Sequence, residues 1–199
     1  FFAFAGGGIS IVPQPVSMQV VDGVFLLNNK TSFVFDNDAT EYREVVELFS
    51  DEIASITSIN ISTQNKKKGN SNIIFSVEPE LISQVGNEGY TLEINKNEVL
   101  VKAPSSAGWF YATRTLLQLF EKDISKGSLY WFLPFLTISY YPLFQFIFFI
   151  LSFFLHFFPL NFIKLSIYHI SNYNLNTFHF HFPYNTLFLI DIKSFPNLT

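Results

Sequence analysis

Short alternating runs of apolar and polar residues predict strands through the first half of the chain. Residues 24–27 (VFLL) and 31–35 are β-prone, and the polar residues 28–30 (NNK) between them predict a hairpin. Residues 72–77 predict another strand. In residues 89–94 (GYTLEI) every second residue is apolar, which favours one buried face, and residues 95–97 turn the chain into a returning strand at 99–101.

Two segments have the spacing of helices. Asp38 and Glu41 resemble a capping box that opens a helix over 39–57. Its predicted inward face consists of Tyr42, Val45, Val46, Phe49, Ile53 and Ile56. Ser105 or Ser106 would cap a second helix, whose predicted inward residues are Phe110, Leu117 and Phe120. Strands gathered around two helices predict an α+β domain, an antiparallel sheet with helices.

The composition changes near residue 131. Residues 132–199 contain no Gly, Ala, Val, Glu, Met, Trp, Arg or Cys, and they hold more than half of the chain's 26 phenylalanines. The missing types, together with Asp, are the amino acids whose every codon contains guanine. Asp191 is the one residue of this group that occurs in 132–199. We therefore interpret 132–199 as a degraded segment, in which guanines were lost by decay of the gene or by misreading of its sequence.

Charge and cysteine content exclude several kinds of function. The formal net charge is -4, and the one basic cluster, residues 66–68 (KKK), is typical of a solvated loop, so we expect no nucleic-acid partner. There is no cysteine, which excludes disulfides and thiolate chemistry. Residues 1–8 (FFAFAGGG) are consistent with a signal-peptide remnant as well as with an arbitrary start, and the first interpretation predicts a secreted or periplasmic protein.

Two other interpretations stay open at this point. Residues 142–163 are long and apolar enough to span a bilayer, which would make the chain a membrane-anchored domain. Gln145, His156 and Pro159 argue against a membrane span. Alternatively, the first half could act alone as a carbohydrate-binding or interaction module.

Three segments of the first half resemble glycoside hydrolase family 20, the β-N-acetylhexosaminidases. Residues 11–16 (IVPQPV), 89–92 (GYTL) and 107–119 (AGWFYATRTLLQL) resemble the opening motif, a later strand and the closing helix of the family's non-catalytic N-terminal domain. In that helix we expect Gly108 to permit close packing, and Thr115 and Gln118 to offer polar contacts toward a neighbouring domain. The resemblance implies an N-terminal α+β domain at 9–125.

The resemblance continues through 132–199, which it identifies as the degraded, truncated start of a (β/α)8 catalytic barrel. Residues 136–138 (LTI), 156–159 (HFFP) and 175–181 (LNTFHFH) keep the family's spacing. Several of the family's residues are replaced. Ile147-Phe148 stand for Arg-Gly, whose arginine is expected to hold sugar hydroxyls. Ser152 and Leu155 stand for Asp and Arg, Tyr184-Asn185 for an acid pair, and Leu187-Phe188-Leu189 for Gly-Trp-Arg.

The resemblance implies a substrate-assisted mechanism, in which a group of the substrate acts as the nucleophile. This mechanism uses an Asp-Glu pair of the enzyme, and no cofactor is expected. The 2-acetamido oxygen of the substrate attacks the anomeric carbon, the Asp orients that group, and the Glu protonates the leaving oxygen. We expect this pair beyond Thr199, which leaves the chain without catalytic residues. The resemblance implies a parent enzyme that removes terminal N-acetylhexosamine from glycans. Asp51-Glu52 is interpreted as solvated charge on a surface helix.

Two histidines are the only candidate site residues. His179 and His181 alternate on a predicted strand and therefore share one face. A metal site would need a third ligand, and none has suitable spacing nearby, so no metal is predicted. The resemblance implies that both lie near the substrate's sugar, behind the residues that touch it.

Overall fold

The computed structural model describes residues 9–35, 40–67, 69–125, 128–142, 148–152, 159–171, 173 and 177–181. Contacts within the chain define two compact units. The described residues up to 142 belong to the first, and those of 148–171 and 177–181 belong to the second.

The first unit consists of a sheet and helices. Its strands are β1 (Ser17–Leu27), β2 (Ser32–Val34), β3 (Ser62–Gln64), β4 (Asn72–Val77), β5 (Tyr90–Ile94), β6 (Glu98–Ala103), β7 (Glu121–Ser125) and β8 (Ser128–Tyr140). Its helices are α1 (Thr40–Thr57), α2 (Ile82–Val85) and α3 (Ser106–Leu119). The helix predicted at 39–57 and the strands predicted at 72–77, 89–94 and 99–101 are therefore confirmed.

The sheet is mixed, whereas the sequence predicted an antiparallel one. Among the described residues the strand order is β1-β8-β5-β6-β4-β2-β3, with β7 also paired to β8. Strands β1, β8, β5 and β6 are antiparallel neighbours, but β6, β4, β2 and β3 are parallel ones. For β2 and β3 the cause lies in α1, because a helix that carries the chain from β2 to β3 returns it in the same direction.

The predicted hairpin between β1 and β2 is wrong. Residues 28–30 do turn, with the amide of Lys30 donating to Asn28 Oδ1 at 2.8 Å. However, β1 pairs with β8, so that Phe25 lies opposite Leu133, and β2 pairs with β3 and β4. A turn signal shows where the chain bends but not which strand will be the neighbour.

The two long helices begin near their predicted positions, and their buried faces differ from the prediction at several residues. In α1 the buried residues are Tyr42, Val46, Phe49, Ile53 and Thr57, while Ile56 is 49% exposed. Asp38 of the predicted capping box lies outside the described residues. In α3 Ser105 is the N-cap, and its Oγ accepts from the amide of Gly108 at 3.3 Å. The α3 core face contains Trp109, Ala112, Leu116 and Leu119, whereas Phe110, Leu117 and Phe120 are only half-buried.

Strand β8 continues across the change in composition. Residues 132–140, which the sequence analysis placed in the second domain, pair with both β1 and β5 in the first sheet. Leu133 and Ile138 are fully buried there. The change near residue 131 and the predicted start at 132 therefore fall inside a core strand.

The second unit is a strand-helix-strand segment. It contains β9 (Phe148–Ser152), α4 (Leu160–Ser171) and β10 (Thr177–His181), and the two strands are parallel neighbours. Strand β9 lies within 142–163, the run considered as a membrane span. In the part of the chain that the structure describes, no helix combines the length and apolar character needed to cross a membrane.

Candidate functional site

The predicted histidine positions lie on β10. In the register with β9, His179 is opposite Ile150 and His181 is opposite Ser152. His179 and His181 occupy alternate positions of one strand, as predicted, and Ser152 stands where the resemblance expects Asp. The surroundings of these side chains, and residues 184–189, lie outside the described residues. Within the described ranges, no three His, Cys, Asp or Glu residues gather where they could hold a metal ion.

Glu52 is not the solvated charge that the sequence predicted. It accepts two hydrogen bonds from the guanidinium of Arg114: Nη1 donates to Oε1 at 2.7 Å, and Nη2 donates to Oε2. The side chain of Arg114 is 1% exposed and that of Glu52 is 12% exposed. The neighbouring Asp51 is exposed. Only one half of the acidic pair therefore faces water.

The Arg114–Glu52 pair joins α3 to α1. A two-pronged pair of this kind fixes both side chains in position. The guanidinium carbon also lies 4.8 Å from the centre of the Phe110 ring, a distance typical of a cation–π contact. Glu52 is thus an acceptor committed to a structural contact rather than a general acid. The sequence signal that could have indicated a buried ion pair was Arg114, the single charged residue in 107–119.

A group that the sequence analysis missed is the tyrosine cluster, which consists of Tyr90, Tyr111 and Tyr140. The rings of Tyr90 and Tyr140 stack with centroids 5.2 Å apart. The Tyr90 hydroxyl shares a hydrogen bond of 2.5 Å with Thr115 Oγ1. The cluster joins β5, β8 and α3.

Two phenols of this cluster, those of Tyr111 and Tyr140, have raised pKa values. Burial, followed by the negative charge of Glu88, raises the pKa of Tyr140 to about 12. Burial, Glu88 and Tyr140 together raise the pKa of Tyr111 to about 12. At neutral pH these hydroxyl groups can donate hydrogen bonds, and they cannot serve as nucleophiles or bases.

The first and second motif segments of the family resemblance each contact the third. Val12 in the first segment hydrogen-bonds Gln118 in the third. Tyr90 in the second bonds Thr115 in the third. A Cβ on Gly108 would lie 2.5 Å from the carbonyl oxygen of Gly89, so the predicted close approach at Gly108 is confirmed.

These contacts give the motif residues a packing role. Thr115 and Gln118 were predicted to reach toward a neighbouring domain, but the partners that the structure describes for them belong to the same unit. Contacts toward another domain stay a prediction.

The chain also matches a known protein family and known proteins. Residues 8–139 match glycosyl hydrolase family 20, domain 2. The chain is 27% identical over 195 residues to a beta-hexosaminidase of Porphyromonas gingivalis, covering 96% of this chain and 25% of the relative. It is also 27% identical over 192 residues to a beta-hexosaminidase of Vibrio furnissii, covering 96% of this chain and 29% of the relative. The chain thus spans between 25% and 29% of the length of these two relatives.

Two solved structures resemble the chain in fold. The exo beta-N-acetylglucosaminidase of Vibrio harveyi, in complex with N-acetylglucosamine, has a TM-score of 0.74 and 25% identity, and the match covers 94% of this chain and 27% of that one. The beta-N-acetylhexosaminidase of Streptomyces coelicolor A3(2) has a TM-score of 0.73 and 24% identity, covering 86% and 34%. The second likeness concerns the fold alone.

Proposed function

Because the chain belongs to glycosyl hydrolase family 20, we propose that it is part of a β-N-acetylhexosaminidase that removes terminal N-acetylhexosamine from glycoconjugates. The family match over residues 8–139 carries this proposal. The similarity to two beta-hexosaminidases over 96% of the chain supports it.

In this proposal the first unit is the non-catalytic domain of the parent enzyme. Motif residues of this unit hydrogen-bond one another: Gln118 bonds Val12, and Thr115 bonds Tyr90. Asp51-Glu52 is the one Asp-Glu dipeptide of the 199 residues. Since Glu52 is bound by Arg114, it is not free to protonate a leaving group.

The second unit would be the start of the catalytic barrel, because β9, α4 and β10 repeat the strand-helix-strand order from which such barrels are built. His179 and His181 would then lie near the sugar. Ile147 and Phe148 stand in place of Arg-Gly, and neither side chain can donate a hydrogen bond to a sugar hydroxyl. We propose that the parent is secreted or periplasmic and that its Asp-Glu pair belongs to a segment outside these 199 residues.

A chromogenic N-acetylglucosaminide tests the catalytic part of the proposal. The 199-residue chain should give no turnover above a blank, whereas a longer product of the same locus that carries the Asp-Glu pair should release the chromophore. Turnover by the 199-residue chain would contradict its assignment as inactive. Absence of activity from the longer product would contradict the assignment of the parent.

Resequencing the locus tests the interpretation of 132–199. If guanines were lost by misreading, Arg-Gly should return at 147–148 and an acid pair at 184–185. An unchanged sequence that yields a folded, soluble product would show that the segment is a genuine divergent protein.

A further inference from the structure

Two exposed asparagines each begin an Asn-x-Ser/Thr tripeptide. The first is Asn29-Lys30-Thr31 and the second is Asn60-Ile61-Ser62. Neither tripeptide has proline in the middle position, and both asparagines are exposed. In secreted proteins this tripeptide is the acceptor for N-linked oligosaccharide. We propose that Asn29 and Asn60 are N-glycosylation sites.

Asn29 lies in the turn that leads from β1 to β2. Its neighbours hold the turn: the amide of Asn28 donates to Thr31 Oγ1 at 3.1 Å, and Thr31 Oγ1 bonds Ser71 Oγ at 2.9 Å. Thr31 is 1% exposed, while Asn29 faces solvent. A glycan on Asn29 would extend into water without disturbing these bonds. The Thr31 hydroxyl would be accessible to the glycosylating enzyme in the nascent chain.

Asn60 lies in the connection from α1 to β3. This connection is fixed by Thr57, whose Oγ1 donates to Ile53 O at 2.7 Å and accepts from the amide of Ile59 at 3.1 Å. The adjacent Ile61 is 7% exposed and packs in the core. The buried Ile61 therefore anchors a loop that leaves Asn60 outside.

The two tripeptides lie at the same end of the sheet. Thr31 directly precedes β2, and Ser62 begins β3, which is the parallel neighbour of β2. The register places Ser32 opposite Ser62. Asn29 and Asn60 therefore come shortly before the first residues of two adjacent strands.

Strand β3 is the last in the strand order of the described residues. A terminal strand can pair with another chain unless something covers it. A glycan on Asn60, two residues before β3, would lie next to the start of this terminal strand.

The modification transfers a sugar chain from a polyprenyl-diphosphate donor. The side-chain nitrogen of the asparagine forms a bond to the anomeric carbon of the first sugar and loses one proton. The bond from that carbon to the diphosphate breaks, and the polyprenyl diphosphate leaves. The inference needs passage through a glycosylating secretory compartment, in keeping with the proposed secretion, and does not depend on hydrolase activity.

The test is expression of the full chain behind a secretion signal in eukaryotic cells. Asn197-Leu198-Thr199 is a third such tripeptide outside the described residues, so all chains carry Asn197→Gln. Intact mass before and after treatment with peptide N-glycosidase should show two glycans. Asn29→Gln and Asn60→Gln should each remove one.

The matched control is Asn70→Gln. Asn70 is exposed, but Asn70-Ser71-Asn72 lacks Ser or Thr at its third position, so this variant should keep both glycans. If a variant is not secreted, mass spectrometry of peptides from the secreted parent chain identifies the modified asparagines directly. Secreted chain without sugar on either asparagine would overturn the proposal, and sugar on one alone would overturn it for the other.

Discussion

The side-chain amide of Gln118 hydrogen-bonds both backbone groups of Val12. Its Oε1 accepts from the Val12 amide at 2.9 Å, and its Nε2 donates to the Val12 carbonyl at 3.0 Å. The two bonds satisfy the backbone N–H and C=O of Val12, as a neighbouring β-strand would. They attach the segment before β1 to α3, 106 residues further along the chain.

We predict that Gln118→Ala destabilises the first unit by about 1 kcal/mol, the net value typical of a lost hydrogen bond, because the contact is partly solvated. The amide hydrogen of Val12 should exchange faster in the variant. Urea denaturation and hydrogen exchange measure the two effects. Gln14→Ala is the control, since Gln14 is exposed. Equal effects of the two variants would show that the bonds to Val12 contribute nothing.

Glu52→Gln should be far more harmful than Asp51→Asn, although the two acids are neighbours. The first change removes the carboxylate that the guanidinium of Arg114, which is 1% exposed, binds with two hydrogen bonds, and breaking a buried pair costs about 3–5 kcal/mol. Asp51 is exposed, so its neutralisation should stay within about 0.5 kcal/mol. Chemical denaturation of both variants tests the difference, and similar midpoints would contradict a structural role for the pair.

The first unit should lose stability as the pH rises from 10 toward 12. Unfolding returns the pKa of Tyr111 and Tyr140 to 10.0 from a folded value of about 12. Between these values the unfolded chain releases protons that the folded chain retains, so the free energy of unfolding falls with rising pH. The double variant Tyr111→Phe with Tyr140→Phe should show a shallower alkaline decline. An identical slope of stability against pH in both proteins would contradict the burial of these phenols.

The sequence predicts elements well where the signal is local. The alternation of Tyr90, Leu92 and Ile94 gives the buried face of β5, and Ser105 gives the start of α3. Strand partners are a different matter, because pairing joins distant residues that share no local pattern. Nothing between residues 28 and 30 distinguishes a hairpin from a strand that pairs with residues 131–139.

Side-chain contacts between distant segments were harder to predict than strand partners. That Arg114 meets Glu52 depends on how α1 crosses α3, and neither helix encodes that geometry alone. The family resemblance identified residues 107–119 correctly as part of a helix. It could not tell which of them, such as Gln118, hold another segment of the same unit.

Gly108 should tolerate no side chain, and the cost should grow with size. A Cβ there would lie 2.5 Å from Gly89 O and 2.6 Å from Ala103 Cβ. We expect Gly108→Ala to cost about 1–3 kcal/mol, as overpacking does, and Gly108→Ser to cost more. At Gly69 the φ is +71° and nothing lies within 4 Å, so Ala and Ser should cost the same. Thermal unfolding of the four variants measures this, and a size-independent loss at Gly108 would contradict close packing.

A chain ending at residue 142 should fold, whereas one ending at 125 should not. Strand β8 separates β1 from β5, so its loss exposes an edge of each. It also removes the buried side chains of Leu133, Leu136, Ile138 and Tyr140. Each contributes about 1.5–3 kcal/mol, and the sum rivals the whole stability of a domain, about 5–15 kcal/mol. Urea denaturation should be cooperative only for the longer chain, and limited proteolysis of the 199-residue chain should leave a piece that extends past Tyr140. A resistant piece ending at 121–130 would show instead that the fold ends where the composition changes.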